Sequence, residues 1–141
     1  MVYFFITIKK REITMERTYF SSGILESEGF FADGKREGCH KVYYPSGNLY
    51  IVYNYVNDIA NGPYKVYYEN GNLLTIHNYV NNKINGEVKH YSANGQLTSI
   101  YISVNGKREG EHRKYHQNGQ LYEIVNYVNG EKIYSKRSNK L

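Results

Sequence analysis

The sequence has no tryptophan, a single cysteine and only two prolines. Cys39, standing alone, excludes an internal disulfide framework and a cysteine-based zinc site. No apolar run approaches the roughly 18 residues that a membrane-crossing helix needs. A strong charge of one sign is missing too. Eighteen basic against thirteen acidic residues leave +5, with both signs spread along the chain. That permits an anionic partner without demanding one. Nor is the chain poor in aromatics, as disordered chains are: it has 17 tyrosines beside 13 glycines. Its 141 residues fit one domain.

The apolar run Val2 to Ile8 precedes Lys9, Lys10 and Arg11. A secretory signal has the opposite order and ends in small residues, so this segment reads as a strand. With the unpaired cysteine, that order sets the expectation of an intracellular, non-secreted protein. The basic tail, residues 134–141, is expected to fray from Ser135 onward. The plentiful Asn, Ile, Lys and Tyr are those of an AT-rich genome, such as that of a giant DNA virus or a low-GC bacterium.

What the sequence does contain is a repeat. Gly38, Gly62, Gly86 and Gly110 are 24 residues apart. So are Gly23, Gly47, Gly71, Gly95 and Gly119, and so are Tyr19, Tyr43, Tyr67, Tyr91 and Tyr115. Leu25, Leu49, Leu73, Leu97 and Leu121 keep the same step, and Val56, Val80, Val104 and Val128 are each followed by Asn. The units are 14–37, 38–61, 62–85, 86–109 and 110–133, with Thr14 in the first leading-glycine place. Residues 1–13 resemble half of an earlier unit and are expected to be a capping strand. Atypical end units are what a repeat array uses as caps.

Each unit reads as a β-hairpin. A run such as Lys41-Val42-Tyr43-Tyr44 meets a turn signal, Pro45-Ser46-Gly47-Asn48 or Glu69-Asn70-Gly71-Asn72, for which a type I′ turn is expected. A β-branched and aromatic return run follows, then a longer polar turn, Asn57–Asn61, Asn81–Asn85 or Asn105–Glu109. Pro63 sits at a strand start, where a missing N–H is tolerated. No segment shows helical apolar spacing. The fold class is therefore all-β: an elongated antiparallel β-meander of tandem 24-residue hairpins in a single twisted sheet. Strands ~4.8 Å apart put equivalent residues of successive units ~10 Å apart.

Read down the units, one column is always basic: Arg17, Lys41, Lys65, Lys89 and Arg113. It shares a face with the tyrosine column Tyr19, Tyr43, Tyr67, Tyr91 and Tyr115, two residues on. The tyrosines are expected to form the structural stripe, against the Leu column and Tyr55, Tyr79, Tyr127 and Phe31. Val52, Ile76, Ile100 and Ile124 are assigned to the opposite face, with the Val56 column. The basic residues read first as solvated gatekeepers against edge pairing. They are also the candidate interaction ladder, for phosphates or an acidic protein surface, and their stems can stack on the tyrosines.

Catalytic patterns are missing. His112 and His116 would suit a metal on a helix, but lie ~13 Å apart in a strand. His40 and His112 share a column three units apart. Cys39 and His40 are adjacent, so in a strand they point to opposite faces and form no dyad. No catalytic residue, cofactor or metal site is expected.

Units such as Gly62-Pro-Tyr-Lys-Val-Tyr-Tyr-Glu-Asn-Gly-Asn-Leu, closing with Tyr79-Val-Asn-Asn-Lys-Ile-Asn-Gly86, resemble MORN repeats. More specifically, they resemble the variant of bacterial YwqK-like and giant-virus proteins, over residues 14–133. Asp58 and Asn82 depart from it at the closure glycine, and Ser103 at a closure aromatic. The resemblance implies a non-enzymatic protein–protein interaction module or assembly scaffold. A partner protein is expected, and homo-oligomers through the open sheet edges. Two alternatives stay open: an antitoxin or immunity protein neutralising a toxin, and a binder of phospholipid headgroups or nucleic acid.

Overall fold

The computed structural model describes residues 11–137, so the strand expected at Val2–Ile8 lies outside the described residues. The strands are β1 (Ile13–Tyr19), β2 (Leu25–Ala32), β3 (Lys35–Tyr43), β4 (Leu49–Val56), β5 (Ile59–Ala60), β6 (Gly62–Tyr67) and β7 (Leu73–Val80). They continue as β8 (Lys83–Ile84), β9 (Gly86–Tyr91), β10 (Leu97–Val104), β11 (Lys107–Tyr115), β12 (Leu121–Val128) and β13 (Glu131–Arg137). All belong to one antiparallel sheet in which, among the described residues, each strand pairs with the next from β1 through to β13. The short β5 and β8 are the first turns of strand of β6 and β9, interrupted at Asn61 and Asn85. Even the unit with Thr14 folds as a hairpin, β1 on β2. The basic tail does not fray at Ser135: β13 pairs with β12 as far as Arg137.

The two kinds of turn exchange their expected roles. At the Asn-Gly end only the glycine has positive φ: 87° at Gly47, 86° at Gly71, 85° at Gly95. Gly47 N–H donates to the Tyr44 carbonyl and Tyr44 N–H to the Asn48 carbonyl, both at 2.8 Å. This is a type I turn closed by a left-handed glycine bulge, not type I′. Asn is used there for its side chain, which accepts from the backbone two residues on: Asn70 Oδ1 from Asn72 N–H at 3.0 Å, Asn118 Oδ1 from Gln120 N–H at 3.0 Å. The type I′ turns lie at the other end, where two consecutive residues have positive φ: Asn57 and Asp58 (51° and 67°), Asn81 and Asn82 (50° and 63°), Asn105 and Gly106 (52° and 84°). The polar turns are therefore two residues long rather than five, and strand resumes at Ile59, Lys83 and Lys107.

Gly71 has φ 86° with open space where a Cβ would stand. Gly71→Ala is expected to cost about 1–2 kcal/mol through left-handed backbone strain alone. Urea unfolding checks this, and an unchanged midpoint would contradict the turn assignment.

Units are tied at both ends. Tyr44 Oη donates to the Tyr67 carbonyl at 2.8 Å and Tyr68 Oη to the Tyr91 carbonyl at 2.9 Å. At the type I′ end, Asp58 N–H donates to the Arg36 carbonyl at 3.0 Å and Asn82 N–H to the Ala60 carbonyl at 2.9 Å. Each turn thus satisfies polar groups on a neighbouring unit, the glycine-bulged turns on the next and the type I′ turns on the one before, which a single-layer sheet needs at its margins.

Candidate functional site

Register decides which residues share a face, because directly opposed residues in antiparallel strands project to the same side. Lys41 is opposed by Val52, Val52 by Lys65, Lys65 by Ile76 and Ile76 by Lys89. Lys89 is opposed by Ile100, Ile100 by Arg113, Arg113 by Ile124 and Ile124 by Lys136. Val52, Ile76, Ile100 and Ile124 therefore lie on the cation face, correcting their assignment to the other one. The result is a row that alternates cation and aliphatic, strand after strand.

The tyrosine column shares this face. Tyr43 is opposed by Leu49 across a bulge, and its hydroxyl donates to Glu28 Oε1 at 2.9 Å. Tyr43, Tyr67, Tyr91 and Tyr115 are only half-buried and Tyr19 is exposed. The deepest burial is elsewhere. Tyr55, Tyr79 and Tyr127 are opposed by Gly38, Gly62 and Gly110, which places them on the opposite face from Lys41 and Tyr43.

That opposite face carries its own row: Gly29, His40 and Tyr53, then Tyr64 and His77, Val88 and Tyr101, His112 and Val125. Apart from Ala32, the buried residues His40, Val66, Val88, Ser103, His112, Glu123 and Val125 all project here. The rings stack and tilt on one another. His77 lies on Tyr64 with centroids 4.6 Å apart, and Tyr101 on His112 at 5.0 Å. Arg36 covers Tyr55 at 4.0 Å, and Arg108 bridges Tyr101 and Tyr127 at 4.8 and 5.4 Å. His40 Nε2–H donates to the Phe30 carbonyl at 2.8 Å. The nitrogens of His77 and His112 have no hydrogen-bond partner among the described residues.

Burial holds these imidazoles neutral, because it penalises the charged form. His40, His77 and His90 are pulled below their ordinary value, and His112 down to about 4, chiefly by burial and then by Arg108. The rings are spent on packing. No group of three or more His, Cys, Asp or Glu with metal-site geometry occurs among the described residues.

On the cation face most of the ladder is paired. Glu28 receives Arg17 at 3.3 Å and Lys41 at 3.4 Å, and its carboxyl is held below the usual range, first by the Tyr43 hydroxyl. Lys89 pairs with Glu87, and Arg113 with Glu111 at 2.6 Å. Lys65 has no ion pair among the described residues, although it is half-buried between Val52 and Ile76. A second row of apolar side chains is open to solvent: Val56, Val80, Val104 and Val128 are 41–49% exposed. Beside it, a shallow groove of about 280 Å³ is lined by Ile100, Ile102, Glu87 and Glu111. The structure thus gathers the cations with the aliphatics and separates both from the aromatic row.

The aromatic row was missed because it falls under no single residue type. Its signal is the place two residues after the leading glycine, filled by His40, Tyr64, Val88 and His112, a bulky residue each time. Gly29, the one glycine outside the repeat columns, was a second signal: it sits under the His40 ring.

No helix among the described residues is long and apolar enough to cross a membrane. Four stretches, residues 36–57, 60–81, 84–105 and 108–129, match the family model of the MORN repeat variant. Each starts in the strand after a type I′ turn, runs through the glycine-bulged turn and ends at or just before the next type I′ turn. No curated protein matches the chain.

Proposed function

The chain belongs to the MORN repeat variant family, and on that premise we propose that it is a non-enzymatic interaction module that holds a protein partner on its cation–aliphatic face. MORN repeats are associated in general with protein or membrane binding and not with catalysis. One observation carries the choice of face. The aromatic row is packed into itself, whereas the valines at 56, 80, 104 and 128 stay exposed at the same place in four successive units. Apolar side chains repeated in the open along one line are what a docking surface offers.

The reading is tested by affinity capture from the native cell, comparing the wild-type chain with a Val80→Glu/Val104→Glu variant. Both positions are exposed, so the fold is expected to tolerate the change. Loss of the captured partner with an unchanged circular dichroism spectrum is the expected result. Equal capture by both chains overturns this reading. Salt-sensitive binding to anionic vesicles or oligonucleotides without a protein partner would favour the anionic-surface reading instead.

A further inference from the structure

The cation–aliphatic row has a period, and a period selects a shape. Successive members Lys41, Val52, Lys65, Ile76, Lys89 and Ile100 come from successive strands, so they are spaced by ~4.8 Å and cations recur every ~9.6 Å. A partner lying across the strands must offer an acidic and an apolar group alternately at that step.

An extended segment cannot do so. Its same-face side chains are ~6.8 Å apart, so it slips about 2 Å against the row at every strand. An α-helix presents one face every turn, ~5.4 Å, and position i+7 returns after ~10.5 Å. Its slip is about 0.6 Å per strand, which the flexible lysine stems absorb over four or five strands. A helix with Glu or Asp at every seventh position and Leu or Ile between them puts carboxylates over the cations and aliphatics over Val52, Ile76 and Ile100.

The charges say where such a helix is centred. Lys41 and Lys89 already have carboxylates beside them, in pairs at the surface that contribute little and exchange readily. Lys65 has none among the described residues, and Val52 and Ile76 stand opposite it on the two neighbouring strands. A half-buried lysine with no ion pair among the described residues, flanked by aliphatics, is complementary to a carboxylate carried on an apolar surface.

We infer that the cation–aliphatic face is a seat for an acidic amphipathic α-helix lying across the strands, with one carboxylate on Lys65. This deepens the proposed function and rests on it. The probe is a synthetic 22-residue helical peptide, ~33 Å or about three and a half units long at ~1.5 Å per residue, with Glu every seventh position and Leu at the intervening turns. Two controls accompany it: a scramble of equal composition, and a peptide whose central Glu is Lys.

Fluorescence anisotropy with the full chain is expected to show saturable binding, at least tenfold tighter than the scramble. Lys65→Glu is expected to weaken it at least tenfold and to prefer the Lys-centred peptide. Equal binding of peptide and scramble, no binding, or insensitivity to Lys65→Glu each overturns the helix seat. If the peptide fails while Val80→Glu/Val104→Glu still abolishes partner capture, the helix inference falls and the docking face stands. If capture is unaffected as well, both fall.

Discussion

Gly29→Ala is expected to be the most damaging glycine-to-alanine change in the described chain, at roughly 2–3 kcal/mol, the upper end of overpacking costs. Its backbone is ordinary, so the damage is steric. A Cβ there would lie 2.0 Å from His40 Nδ1 and 2.3 Å from its Cε1. The ring has nowhere to retreat. It donates to the Phe30 carbonyl at 2.8 Å, and it packs against Phe31 at 5.2 Å and Tyr55 at 5.4 Å. Moving it breaks a hydrogen bond and two aromatic contacts at once. In the His40→Ala background the same alanine has room. A double-mutant cycle is therefore expected to give a coupling of about 1 kcal/mol or more, the second change partly relieving the first. Additive effects would show that His40 does not lie over Gly29.

Acid is expected to destabilise the chain already above the carboxylate range. The imidazoles of His40, His77, His90 and His112 are all lowered in the folded state, His112 to about 4. An unfolded histidine takes its proton near ~6.5. Between that value and the folded one, the unfolded chain binds more protons, so stability falls as the pH falls. For His112 the loss approaches about 1.4 kcal/mol per pH unit inside that window, and the other three add in the same direction. The carboxyls of Glu28, Glu37, Asp58 and Glu123 are also held low, by their hydrogen-bond donors. Their stabilisation is present above the ordinary carboxylate value and goes only as the pH drops below it. The urea midpoint is thus expected to decline steadily between pH 6.5 and 4. His112→Leu is expected to flatten that decline by about one proton. A flat midpoint over this range, or equal slopes for the two chains, would refute the account.

The period, the hairpins and the single sheet were legible in the sequence because glycine, tyrosine and leucine each recur where the backbone or the packing needs them. The faces were not. Residue parity alone put Val52 away from Lys41, but a strand and its partner share a face by register, and the register opposes the two. The bulge at Tyr43 and Leu49 shifts the register by one, so the Leu column does join the tyrosines while Tyr55 does not. Turn geometry was misread for a related reason. Asn-Gly favours a type I′ turn in general, yet here the asparagine works through its side chain, and the pairs with two positive φ values include Asn57-Asp58 and Asn81-Asn82, which lack glycine. Lys65 stood in the basic column from the start. What sets it apart is that it has no ion pair among the described residues, while β4 and β7 place aliphatics opposite it.

Because the path runs strand by strand from β1 to β13, tension applied between those two strands pulls across the sheet. Hydrogen bonds then load one strand pair at a time, as in a zipper, rather than together in shear. The array should yield hairpin by hairpin from its ends at low force, each step paying out one 24-residue unit. A helix seated across several strands would act as a splint, so the chain would stiffen only over the stretch its partner covers.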